Sequence, residues 1–216
     1  MGVWDAIPAG RLAPFGEMQV WDGSGGGCIR FSAREVGQQE MGCVVENSVL
    51  LAALADTLRS RPGSHVDFVT VPAGLASLDL PGRGEAGSAV LRPSVVPRGD
   101  GGGPAEAPAP LSARLVVGAD GGQSQVRALA GLRTAGWAYG QSAVVGSVRT
   151  AEASVTAWQR YLPSGPLALL PVWGGAEWSN VVWTTSPARA RQLRDLSDGA
   201  FAAAVDAALQ VLAPVI

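Results

Sequence analysis

The chain has 216 residues, 47% hydrophobic and 16% charged, with a formal net charge of -2. That is enough apolar material for one large core or for one and a half ordinary domains, and the slight acidity argues against a nucleic-acid-binding surface. No lysine occurs anywhere, which removes the P-loop class, a Schiff-base lysine and a lysine general base together.

Taken in chain order, Met18-Gln19-Val20-Trp21 alternates up to Asp22-Gly23, and Cys28-Ile29-Arg30-Phe31 alternates after a glycine-rich loop. The pair predicts a β-hairpin. Val49, Leu50, Leu51, Leu54 and Leu58 follow Glu46-Asn47 at helical spacing and predict an amphipathic helix that stops at Arg61-Pro62-Gly63. Val66 to Val71 reads as a strand; Leu75 to Leu80 and Ser88 to Leu91 read as weaker strands around a glycine-rich turn. Residues 97–110 are Gly, Pro and Ala with almost nothing to bury, and are expected to be a disordered surface insertion.

The next stretch is the most informative. Leu115-Val116-Val117 is a short apolar run with two β-branched residues, as expected of a buried strand. Gly118-Ala119-Asp120-Gly121-Gly122 then predicts a tight turn, and Ser124 a cap for a helix over Gln125 to Leu129. A helix N-terminus behind glycines gathers free N–H groups and suits a phosphate. Asp120 cannot bind phosphate itself. It can accept from ribose hydroxyls, or it can simply stabilise the turn, and both readings stay open at this point.

Four strand candidates follow at hairpin-like intervals: Ala143 to Val148, Thr156 to Leu162, Leu167 to Trp173 and Asn180 to Thr185. They predict an antiparallel sheet, and residues 187–212 predict a closing helix rich in Ala and Leu. Trp137, Trp158, Trp173, Trp178 and Trp183 fall in this half of the chain; most should pack in the core, with the alternative of an apolar wall for a flat aromatic ligand. Gly82-Arg83-Gly84-Glu85-Ala86-Gly87 matches a dinucleotide fingerprint literally, yet a short proline-ended strand follows it where a helix is required. His65 is the only histidine, and neither it nor Cys28 and Cys43 shows catalytic or metal-ligand spacing. No apolar run is long enough to span a bilayer.

Gly118-Ala119-Asp120-Gly121, with Ser124 and Val126-Arg127, resembles the second motif of the flavin-dependent aromatic hydroxylases. Met18 to Asp22, Val45-Glu46-Asn47, Tyr139 to Val145, Ala157 to Pro166, Ala168 to Pro171 and Val182 to Ser186 narrow the likeness to the ubiquinone-biosynthesis monooxygenases, nearest to the mitochondrial C5-hydroxylases. The resemblance implies an α/β (α+β) fold of the p-hydroxybenzoate-hydroxylase kind. It implies that residues 1–40 form a substrate-domain hairpin, 41–136 part of an FAD-binding domain, 137–186 a substrate-domain sheet and 187–216 a truncated helical segment. It implies FAD as the cofactor, with Gly118, Asp120, Gly121, Ser124, Arg127 and Asn47 near it, and Trp158, Pro163 and Gly165 near the substrate. Arg127 would brace the turn. Catalytic side chains are not identified, because in this chemistry the flavin is the oxidant.

The implied partners are a prenylated phenol, O2, an electron donor that is either NAD(P)H or a ferredoxin relay, and other ubiquinone-biosynthesis proteins in a complex. The implied location is the matrix face of the mitochondrial inner membrane in a eukaryote, or the cytoplasm or inner-membrane surface in a bacterium. The glycine fingerprint that opens the family and the later Gly-Asp motif are both missing from residues 1–216. The sequence therefore reads as the middle of the family, expected to be inactive alone. The alternative is an inactive fragment that binds a prenyl phenol or a partner protein; a generic α/β binding module is a third.

Overall fold

The computed structural model describes residues 2–61, 63, 65–71, 73–82, 86–94, 109–152, 154–175 and 177–209. Its contacts divide the chain into two compact units, Met1–Ser64 with Ala138–Ile216, and His65–Trp137. Of the insertion expected at 97–110, all but residues 109 and 110 lie outside the described residues.

The first unit begins with β1 (Leu12–Phe15), β2 (Glu17–Asp22), β3 (Cys28–Ser32), β4 (Gly42–Val45) and α1 (Asn47–Ser60). The second unit holds β5 (Leu75–Asp79), β6 (Ala89–Pro93), β7 (Leu111–Ala113) and α2 (Gln125–Leu129). The chain then returns to the first unit with β8 (Ser142–Arg149), β9 (Thr156–Leu162), β10 (Gly165–Pro171), β11 (Trp178–Thr185), α3 (Pro187–Arg194) and α4 (Asp198–Leu209).

The first unit is built on a six-stranded sheet in the order β3-β2-β9-β10-β11-β8. Its four later strands are the antiparallel set that their Gly and Pro spacing predicts. The hairpin β2–β3 is also as expected, but it joins the sheet through a parallel pairing of β2 with β9, Met18 against Ala157 and Trp21 against Arg160. Strand alternation sends Trp21, Leu167, Leu169, Val181 and Trp183 to one face, where Leu193 of α3 and Val205 and Leu209 of α4 cover them. Leu167 and Val181 are fully buried there. A separate two-stranded sheet pairs β1 with β4, Leu12 against Val45.

Three expectations need correction. Residues 187–212 do not form one helix: α3 ends at Arg194, and a second helix starts at Asp198. Ser197 supplies the new start, its hydroxyl accepting from the Ala200 N–H at 3.4 Å. Val66 to Val71 is not a strand, and Val66, Phe68 and Val69 are exposed. Nor is Leu115 to Val117 a buried strand, since Leu115 is 78% and Val117 74% exposed. The third strand of the second unit is instead Leu111–Ala113, which pairs with β6. A β-branched run becomes a strand only where a neighbour takes up its backbone groups.

Candidate functional site

The turn before α2 is built by one carboxylate. Asp120 Oδ2 accepts from the N–H groups of Gln125 at 2.6 Å and Val126 at 3.2 Å, and Oδ1 accepts from the Ser124 hydroxyl. Ser124 is buried and is the N-cap of α2, its Oγ accepting from the Arg127 N–H at 3.0 Å. Arg127 donates back to the Gly122 carbonyl at 2.8 Å. The first donors of α2 are thus satisfied within the turn. A cavity of about 420 Å³ opens beside it, lined by Gly118, Gly121, Ser124 and Arg127 along with Leu78 and Val116. Gly121 has φ +83, and a side chain built on it would meet open space. Its glycine is a conformational requirement that also leaves the backbone open to a ligand.

Hydrogen bonding, led by the Ser124 hydroxyl, holds the Asp120 carboxyl below the usual carboxylate range. A depressed folded-state pKa gives stability that is present above the ordinary carboxylate pKa and is lost as pH falls through the depressed one. The protection factors of the Gln125 and Val126 amides should therefore hold at neutral pH and fall only in acid, from the ordinary Asp range downward. Unchanged protection of these two amides through that window would contradict the capping geometry.

A second cavity, of about 410 Å³, lies within the first unit. Val44 and Val45 of β4 and Val172 after β10 give it apolar walls, and Trp173 and Trp178 from either side of the β10–β11 turn give it aromatic ones. Ser147 and Asn180, opposite one another on β8 and β11, supply its polar patch through a 2.8 Å hydrogen bond from Ser147 Oγ to Asn180 Oδ1. Alternation places this pair on the sheet face opposite Val181 and the helices. Glu46, at the end of β4, stands at the rim and is ion-paired with Arg11. The Arg11 guanidinium lies 4.0 Å from the ring centroid of Trp173. Cys43, in the same strand β4, has its thiol pKa pushed up, first by desolvation.

The residues singled out in the sequence are not gathered in one place. Gly118, Gly121, Ser124 and Arg127 share the turn cavity, which Asp120 supports from behind. Asn47 is the exposed first residue of α1 and belongs to the first unit. Trp158 is turned toward the sheet–helix core, edge-on to Trp21 at 6.1 Å, with its indole N–H donated to Ser154 at 2.9 Å. Pro163 is exposed in the β9–β10 turn, and Gly165 opens β10 with φ +133. Of the tryptophans, Trp173 and Trp178 line this cavity. Trp183 is in the core, and Trp137 is 80% exposed. Val44, Val172 and Asn180 carry no sequence signal of their own.

No family model matches the chain. Over 210 residues, 96% of its length, it is 36% identical to ubiquinone biosynthesis monooxygenase COQ6, mitochondrial, from Xenopus tropicalis, and it is 35% identical to the human protein of that name. It is 34% identical over 202 residues, 91% of its length, to 3-demethoxyubiquinol 3-hydroxylase of Escherichia coli (strain K12). The chain spans 42%, 42% and 45% of these three relatives. Among solved structures it is similar to CmlS, a flavin-dependent halogenase, with TM-score 0.62 and 18% identity over 95% of this chain and 36% of that one. A flavoprotein/dehydrogenase from Cytophaga hutchinsonii gives TM-score 0.64 and 13% identity over 96% and 48%. These likenesses show the fold, which is the α/β flavoprotein architecture that the sequence motifs imply.

Proposed function

We propose, from its similarity to the ubiquinone-biosynthesis monooxygenases over the segment it spans, that the chain is part of an FAD-dependent monooxygenase that hydroxylates the ring of a polyprenylated phenol. The observation that carries the ring assignment is the cavity on the open face of the sheet. It combines two indoles, three valines and a Ser–Asn pair, with the ion-paired Glu46 at its rim, which is how a flat, largely apolar ligand is held and oriented. Trp173 and Trp178 would stack on the ring or flank it, and the Ser147–Asn180 pair would meet its hydroxyl. Pro163 and Gly165, at the other end of β9 and β10, and Trp158, near the start of β9, stay assigned to the substrate side.

The second unit fits the polar part of a flavin. Gly121 is open on its side-chain face, and Gly118, Ser124 and Arg127 line the adjoining cavity. These residues would hold FAD in the second unit, and Asn47, in the first, keeps its cofactor assignment from the family resemblance alone. Asp120 would act by fixing the Gly121–Gly122 backbone, since its own oxygens are occupied by α2. The bound flavin supplies oxygen activation, and the chain supplies binding, orientation and exclusion of water. O2, a reductant, either NAD(P)H or a ferredoxin relay, and partner proteins of the same biosynthesis complete the reading. Relatives carry a mitochondrial name; among the described residues no helix is long and apolar enough to cross a membrane, and a peripheral position at the matrix face is the location proposed for a eukaryotic source.

Two measurements test this. Val172→Phe, which fills the cavity, should abolish quenching of tryptophan fluorescence by a short-chain 2-alkenylphenol and leave the melting temperature within a few degrees; undiminished quenching would remove the ring from this cavity. Asp120→Ala should lower flavin retention after desalting by about tenfold, while costing no more stability than the loss of a helix-capping contact. Equal flavin content in the variant would return Asp120 to a plain turn role.

A further inference from the structure

We propose that this chain pairs with a second copy of itself along the outer edge of β3, so that two six-stranded sheets join into one. In the sheet order β3 stands at the end, bonded to β2 on one side and, among the described residues, to no strand on the other. Its ladder with β2 decides which backbone groups it turns outward. At one end the Asp22 N–H donates to the Gly27 carbonyl at 3.0 Å, and at the other the Ala33 N–H donates to the Gly16 carbonyl at 2.9 Å. Bonded and non-bonded pairs alternate along an antiparallel ladder. Val20–Ile29 and Met18–Phe31 are therefore bonded pairs, and Cys28, Arg30 and Ser32 direct their N–H and C=O groups away from β2. Ile29 and Phe31, 58% and 46% exposed, stand opposite Val20 and Met18 on the open face of the sheet. An apolar strip thus runs to the edge and ends there uncovered.

A two-fold axis through Arg30 satisfies the backbone and the strip together. It sets Arg30 against Arg30 of the second copy and Cys28 against Ser32 of the second copy, so the outward groups of all three residues meet in register. It also sets Ile29 against Phe31 of the second copy, twice, as non-bonded pairs, the kind whose side chains come closest. Moving the axis to Ile29 slides Phe31 against Gly27, and moving it to Phe31 slides Ile29 against Ala33; both lie outside β3. Only the axis through Arg30 uses the whole strand. Like charges directly opposite one another repel, but each Arg30 is paired with Glu17 of its own chain at 2.5 Å. The row across the axis reads acid, base, base, acid, and its charges cancel. A charged residue is a common guard of an exposed edge, and here Glu17 disarms it.

The test is sedimentation of the purified chain over a wide range of concentration, with oxidation by diamide to read the register. The chain should sediment at 22.0 kDa when dilute and at twice that mass when concentrated. Arg30→Pro removes an N–H that only the second copy would take up, on the side where an edge strand accepts proline. It should raise the dimer dissociation constant about tenfold or more and leave the far-ultraviolet spectrum and tryptophan emission unchanged. Ser32→Cys puts a thiol opposite Cys28 of the second copy, about 5.5 Å away between Cα atoms and within disulfide reach. Diamide should therefore link this variant into a covalent dimer. It should not link the unmodified protein, in which Cys28 faces Ser32, nor the double variant Cys28→Ser/Ser32→Cys. A chain that stays monomeric when concentrated overturns the proposal, as does one that grows into open-ended aggregates with no dimer step. So does a natively folded Arg30→Pro that dimerises as the parent does, or a Ser32→Cys that links no better than the unmodified protein. Should Arg30→Pro lose its native spectrum, the cross-linking alone decides.

Discussion

Gly165→Ala should destabilise the first unit by about 3 kcal/mol, the sum of a strained backbone and a forced contact. Gly165 opens β10 at φ +133, a conformation that L side chains rarely adopt. A Cβ built there would collide with the carbonyl oxygen of Thr184 on the neighbouring strand and lie 3.0 Å from its carbonyl carbon. Backbone cannot step aside as a flexible side chain can. Gly174 is the control: its φ is +99, but nothing lies within 4 Å of its built Cβ. Gly174→Ala should cost only the backbone strain, about 1–2 kcal/mol. Urea unfolding followed by tryptophan fluorescence separates the two, and equal losses would show that the Thr184 contact relaxes freely. The same variant bears on the substrate-side assignment of Gly165. A large stability loss with unaltered phenol affinity would make its role packing.

Arg160→Ala should cost a further large amount, about 3 kcal/mol. Arg160 is 8% exposed and points into the sheet–helix core. It donates to the Ala208 carbonyl at 2.6 Å and to the Gly23 carbonyl at 3.3 Å, so one side chain ties β9 to the last turn of α4 and to the β2–β3 loop. No carboxylate shares in these bonds. The cation is compensated by carbonyls and by its place at the negative end of a helix. Removing it leaves the Ala208 and Gly23 carbonyls without this donor and opens a void where a buried side chain stood. Faster amide exchange confined to α4 and the β2–β3 loop is the expected signature. A variant as stable as the parent would mean that the buried charge costs as much as its bonds return, as buried ions sometimes do.

The local parts of this fold were readable from local chemistry. Gly23 to Gly27 announced the β2–β3 hairpin, Gly165 and the Pro-Gly punctuation announced β8 to β11, and Ser124 announced the cap of α2. The parts that failed are those decided at a distance. Leu115 to Val117 has a strand's composition, but its neighbours do not pair with it. The parallel contact of β2 with β9 joins segments with nothing between them to signal the pairing. The Asp195 to Ser197 break in the last helical region was visible only as a Ser at a capping distance from Ala200. The cavity is the extreme case. Its walls come from β4, from β8 and from the β10–β11 turn, each residue ordinary in its own window, and only the tryptophans hinted at it. Asp120 was found for its motif, yet its geometry is that of a turn-former whose value to a ligand is indirect.

The parallel pairing of β2 with β9 also dictates an order of events during folding. Strands that begin at Glu17 and Thr156 cannot meet until most of the chain has been made. The β2–β3 hairpin must wait on the ribosome with Trp21 uncovered, while β9, β10 and β11 can zip together from neighbouring turns as soon as they emerge. Non-local closure of this kind raises contact order and slows the rate-limiting step, and a waiting apolar hairpin is a substrate for chaperones and for aggregation. Synthesis at low temperature, or with a holdase present, should therefore raise the soluble yield of this chain more than any stabilising substitution in the later hairpins.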